Sequence, residues 1–114
     1  MAANPGPRIL VVDDDQATVD TLALALRNEG FDVRPCTSVK AAMEKLGKLS
    51  VDLILSDLVM PETDGLGFLS WVKERYPQLP FVICTGFGTI PSAIAAIRQG
   101  ASDYLTKPIN LEQL

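Results

Sequence analysis

Hydrophobic and polar positions along this chain fall into two repeating patterns. Residues 8–12 (R-I-L-V-V), 53–55 (L-I-L) and 81–84 (F-V-I-C) are short, nearly continuous apolar runs, and each breaks off near a polar residue. Runs of this length without alternation read as strands buried on both faces. Between them lie stretches with a helical period. Val19, Leu22, Ala23 and Leu26 mark one face of a helix over 16–29, with Gly30 as its C′ residue. Ser38 caps a second helix carrying Val39, Ala42, Met43 and Leu46 on one side. Leu66, Leu69, Val72 and Tyr76 mark a third, opened by Asp64 or Gly65 and stopped by Pro77. Thr89 caps a fourth, with Pro91 in its first turn, Ile94 and Ile97 on its inner face and Gly100 at its end. Residues 31–34 alternate apolar with polar, which predicts a half-exposed edge strand that tolerates Pro35. Tyr104 and Leu105 predict a short second edge strand. Asn110 opens a last helix, which is left incomplete at Leu114.

The succession βαβαβαβαβ with a helical stub predicts a mostly parallel sheet with helices on both faces. The three apolar strands belong at its centre. Ligands of open α/β sheets bind outside the carboxyl ends of the strands. The first polar residues after the strands therefore share one rim: Asp13, Asp14 and Asp15 after the first, Asp57 after the third, Thr85 and Gly86 after the fourth, and Lys107 after the fifth.

Composition narrows the chemistry. At 114 residues the chain is long enough for one core and too short for two. Residues 1–7 read as a loose leader and 8–114 as the domain. A formal charge of −4 argues against direct nucleic-acid contact, which needs a basic face. No apolar stretch approaches the roughly 20 residues that span a bilayer, and the N-terminus lacks a signal-peptide core, so a cytoplasmic location without membrane contact is expected. The chain has no histidine. That removes Ser/His/Asp and Cys/His nucleophilic machinery and most zinc sites. Cys36 and Cys84 lie in separate apolar runs and read as small buried thiols rather than a disulfide framework.

The shared rim is an electrostatic problem. Two carboxylates about 4 Å apart repel by ~4 kcal/mol at an effective dielectric near 20, and a third adds more. Cations must fill such a pocket. Lys107 supplies one charge, and a hard divalent ion held by few protein oxygens and several waters, best matched by Mg²⁺, supplies two. A metal flanked by a lysine and a hydroxyl suits phosphoryl transfer, with a carboxylate as nucleophile. Two other classes compete. A flavodoxin-like cofactor binder would need a Ser/Thr/Gly-rich phosphate loop after the first strand, where three aspartates stand instead. A metal-dependent hydrolase with an Asp nucleophile would need a second acid and a cap over the site, and no insertion here forms one.

Taken together, Val11-Val12-Asp13-Asp14-Asp15, Ser56-Asp57-Leu58-Val59-Met60-Pro61 with Asp64-Gly65, Thr85-Gly86, and Tyr104-Leu105-Thr106-Lys107-Pro108 resemble the receiver domain of two-component response regulators. The resemblance covers roughly residues 8–112. It implies a flavodoxin-like (βα)5 receiver fold, with a five-stranded parallel sheet in the order 2-1-3-4-5 and the last helix truncated. It further implies that Asp57 is the phosphoacceptor and that Asp13, Asp14, Asp57 and the Val59 carbonyl hold Mg²⁺. Lys107 would pair with Asp57, Thr85 would bond the phosphoryl group, and Tyr104 would rotate in as the switch. The peptide bond before Pro108 is expected to be cis. A sensor histidine kinase or histidine phosphotransfer protein would supply the phosphoryl group. The domain would catalyse its own phosphorylation and a slow autodephosphorylation. Val59 and Phe87 stand where many receivers carry amide or acidic groups, which implies a long-lived phosphoryl-aspartate. Residues 85–91 resemble receivers that precede transcription modules, so control of transcription is the expected output. A stand-alone receiver, acting as phosphorelay shuttle or interaction switch, is the alternative. Without the rest of its last helix, the sheet would expose an apolar face, and a homodimer is a further expectation.

Overall fold

The computed structural model describes residues 6–57, 65–85, 94–95 and 97–106, with 65, 66, 85, 104 and 106 described by backbone alone. The elements are β1 (Arg8–Val12), α1 (Gln16–Asn28), β2 (Asp32–Cys36), α2 (Val39–Leu46), β3 (Leu53–Ser56), α3 (Gly65–Arg75), β4 (Phe81–Thr85) and β5 (Asp103–Thr106). Residues 94–95 and 97–98 are also helical. The strands form one parallel sheet in the order β2-β1-β3-β4-β5, so the three apolar runs are central and the other two strands are edges, as the pattern predicts.

Burial on both faces explains why the central strands carry no polar alternation. Leu10, Val12, Ile54, Phe81 and Ile83 point to one side and pack with residues of α2 and α3, including Ala42, Phe68, Leu69 and Val72. Ile9, Val11, Leu55, Val82 and Cys84 point to the other and meet Val19, Ala23 and Leu26 of α1. Successive side chains of a strand face opposite ways, so one uninterrupted apolar run supplies two cores. Phe68, missing from the Leu66/Leu69/Val72/Tyr76 face read in the sequence, is fully buried and meets Phe81 edge-on at 5.4 Å.

Helix ends follow local chemistry. Asp15 caps α1 through the Ala17 N–H, and Ser38 caps α2 through the Ala41 N–H. At the C-terminus of α1, Gly30 takes φ +97°. Its N–H donates to the Arg27 carbonyl and that of Phe31 to the Leu26 carbonyl, the paired bonds of a Schellman motif.

Three placements differ from the sequence pattern. The second strand runs over Asp32–Cys36 rather than 31–34, because pairing with β1 starts at Arg8 opposite Asp32. Ile94 and Ile97, expected on an inner face, are 48% and 49% exposed. Two isoleucines three apart do not define which side of a helix meets the sheet, and here the half-buried Ala95 lies nearer the packed side. Gly6 and Pro7, at the end of the expected leader, are hydrogen-bonded to the main chain at Gly30 and Asp32. The expected last helix lies outside the described residues. Among the described residues no helix is long and apolar enough to cross a membrane.

Candidate functional site

The ends of β2, β1 and β3 are level, since Val12 pairs in register with Cys36 on one side and Ser56 on the other. The ladder bonds continue for one residue past the strand ends. The Asp13 N–H donates to the Cys36 carbonyl at 3.1 Å, and the Asp57 N–H donates to the Val12 carbonyl at 2.9 Å. Asp13 and Asp57 are thereby set side by side at the carboxyl rim, 2% and 6% exposed. Asp14 is exposed beside them. One carboxylate oxygen from each of Asp13, Asp14 and Asp57 lies within 4.8 Å of the others. At that separation two unit charges repel by ~3 kcal/mol at an effective dielectric near 20, less where water reaches Asp14.

Local bonding separates the three consecutive aspartates. Asp13 accepts from the Asp15 N–H at 3.0 Å, which turns the chain sharply out of β1. Asp15 faces the helix, accepting from the Ala17 N–H and, at 2.6 Å, from the Thr18 hydroxyl. One aspartate thus serves as a helix cap and two join Asp57. The set offers hard oxygen donors only, two of them buried and one open to solvent. That suits a hard divalent cation of the Mg²⁺ class, which keeps several of its waters.

The remaining rim residues are placed in part. Thr85 ends β4 opposite Thr106 of β5, and Tyr104 stands in register with Ile83. β5 therefore ends at Thr106 beside the end of β4. Val59, Asp64, Phe87, Lys107 and Pro108, and the side chains of Thr85 and Tyr104, lie outside what the structure describes.

Sequence reasoning passed over the side chain of Ser56. Ser56 is 1% exposed, and its hydroxyl donates to the Asp57 main-chain carbonyl at 3.0 Å. The available signal was a polar residue closing a wholly apolar strand.

Comparison with known proteins adds to this geometry. Residues 9–114 match the response regulator receiver domain family. A putative response regulator of the NtrX-like type from Rickettsia felis is 37% identical over 108 residues, an overlap that takes in 93% of this chain and 23% of that protein. The transcriptional regulatory protein GlrR of Escherichia coli is 38% identical over 106 residues, covering 93% of this chain and 24% of its own length. The chain thus spans about a quarter of these relatives. The beryllofluoride-activated NtrC4 receiver domain dimer superposes with a TM-score of 0.87 at 33% identity, over 93% of this chain and 88% of that one.

Proposed function

Because the chain belongs to the response regulator receiver domain family, we propose that it is a phosphorylation-dependent switch that accepts a phosphoryl group on Asp57. The observation that carries this reading is the convergence of the Asp13, Asp14 and Asp57 carboxylates at one rim of the sheet. Asp13, Asp14 and Asp57, with the Val59 carbonyl, would hold Mg²⁺. When bound, the cation offsets the crowded carboxylates and the charge that gathers on phosphoryl oxygens. Asp57 is the nucleophile. Its main chain is anchored to β1, so the carboxylate meets the donor without prior rearrangement. Lys107 supplies a further positive charge. Thr85 bonds the transferred group, and Tyr104 reports the change to the surface around β5. A coupling of roughly 1–3 kcal/mol is enough to redistribute two conformers.

The chain contains no histidine, so the phosphohistidine donor belongs to a partner, a sensor kinase or a phosphotransfer protein. GlrR bears the description of a transcriptional regulatory protein, which supports transcription as the controlled output here. A solved receiver relative is a dimer, which supports self-association as the readout. The deciding experiment is intact-protein mass after incubation with a small acyl-phosphate donor and Mg²⁺. One phosphoryl group is expected on the wild type and none on Asp57→Asn. A wild type that stays unmodified, or an Asp57→Asn variant modified to the same extent, overturns the assignment.

A further inference from the structure

We propose that Ser56 is a positioning residue of this site: its buried hydroxyl holds the Asp57 main chain where it leaves β3, so that the Asp57 carboxylate stays within reach of Asp13 and Asp14. The inference rests on the reading of Asp57 as phosphoacceptor at a cation site.

Among the described residues only three buried side chains are polar: Asp13, Asp57 and Ser56. The first two belong to the carboxylate cluster. Ser56 stands in register between Val12 and Ile83, both part of the core that faces α2 and α3. An aliphatic β-branched side chain suits such a place better, and a buried hydroxyl is unfavourable unless it is bonded. The partner it finds is the main-chain carbonyl of Asp57, at 3.0 Å.

Peptide units are planar, so holding one polar group of a unit orients the whole plane. The Asp57 N–H is held by the Val12 carbonyl. That bond orients the plane before the Asp57 Cα, and the Ser56 hydroxyl orients the plane after it. With both planes set, φ and ψ of Asp57 are set, and so is the direction of its Cα–Cβ bond. The carboxylate is then aimed before any cation or donor arrives. Removing the hydroxyl frees the second plane, so the main chain leaving β3 opens more often and exposes the Asp57 N–H at the end of the ladder with it.

The test compares the full chain with Ser56→Ala and Ser56→Thr by three readouts: amide hydrogen exchange at Asp57, Mg²⁺ titration and thermal midpoint. Ser56→Ala is expected to speed exchange at Asp57 while Val11 and Leu55 keep theirs. It is also expected to weaken Mg²⁺ binding by roughly two- to tenfold, the weight of one neutral hydrogen bond, with a thermal midpoint close to that of the wild type. Ser56→Thr, which keeps the hydroxyl, restores both. Unchanged Asp57 exchange in Ser56→Ala overturns the inference, as does equal loss of Mg²⁺ affinity in the Ala and Thr variants. If the wild type itself shows no Mg²⁺ affinity, the function proposed above falls. The exchange readout still judges Ser56 in that case: faster exchange at Asp57 supports its hold on the Asp57 main chain, and unchanged exchange overturns it.

Discussion

At the rim opposite the carboxylate cluster, a single arginine joins three segments. The Arg8 N–H donates to the Asp52 carboxylate, while its guanidinium bonds the Asp32 carboxylate at 2.9 Å and the Ser50 carbonyl. Asp32 also accepts from Arg34. The hydrogen bond from Arg8, then that from Arg34, holds the Asp32 carboxyl below its ordinary value near 3.8, against the smaller opposing effect of burial. A group whose pKa is lower in the folded chain adds stability above the unfolded value and loses it as pH falls through the folded one. Asp32→Asn is therefore expected to reduce stability at pH 7 by about 0.5 kcal/mol, a small figure because water screens the pair. The deficit should shrink as pH falls below 3.8 and through the lower folded value, where the wild-type carboxyl is neutralised too. Urea unfolding of both proteins at pH 7 and pH 3 measures it. The two thiols behave as the composition suggests. Cys36 and Cys84 are buried and form no disulfide, and burial pushes the Cys36 thiol above its usual pKa. The carboxylates at the rim were legible because Asp13 and Asp14 directly follow one apolar run and Asp57 follows another after a single serine. The bond from Ser56 was not, because a sequence does not say where a hydroxyl points.

Elements show which parts of the pattern carried information. The cap on α1 separates helix formation from site chemistry. Asp15→Ala removes the acceptor for Ala17 and Thr18 and is expected to lower stability by about 1 kcal/mol. Mg²⁺ affinity should change little, because Asp15 stands outside the Asp13/Asp14/Asp57 cluster. Denaturant unfolding paired with a Mg²⁺ titration checks both halves, and a large loss of affinity would place Asp15 in the cation site. Strand β2 shows why Pro35 is tolerated. Asp32 and Cys36 bond toward the chain leading into and out of β1, so the main-chain polar groups of the alternating residues Val33 and Pro35 point to the open edge, while the Val33 side chain is buried. The missing N–H of Pro35 falls on the open edge, and Arg27 donates to the outward Val33 carbonyl. Both features discourage pairing with another strand. Residues 94 and 97 were misread for a different reason. Two positions fit several helical phases, whereas α1 and α2 are fixed by three or more buried residues each.

Across the whole molecule, the sheet assembles the site and the site works against the sheet. Three carboxylates held close together repel one another, and a cation bound among them would offset that repulsion. Mg²⁺ at ten times its dissociation constant is expected to add ~1.4 kcal/mol of stability through linkage. Asp57→Asn or Asp13→Asn should lose most of that gain and unfold at nearly the same temperature with or without Mg²⁺. Thermal unfolding across a Mg²⁺ series tests this, and an undiminished Mg²⁺ gain in both variants would place the cation elsewhere. The sequence by itself determined the element types, the central strands and the candidate rim, because burial and helical periodicity are properties of consecutive residues. Strand order followed only from likeness to known receivers. Tertiary structure decided that Asp15 caps α1 while Asp14, as the resemblance implied, joins Asp13 and Asp57, that Phe68 completes the core, and that Ser56 bonds the Asp57 main chain. Those outcomes depend on distances between strands and on where side chains point, which only the register of neighbouring strands sets.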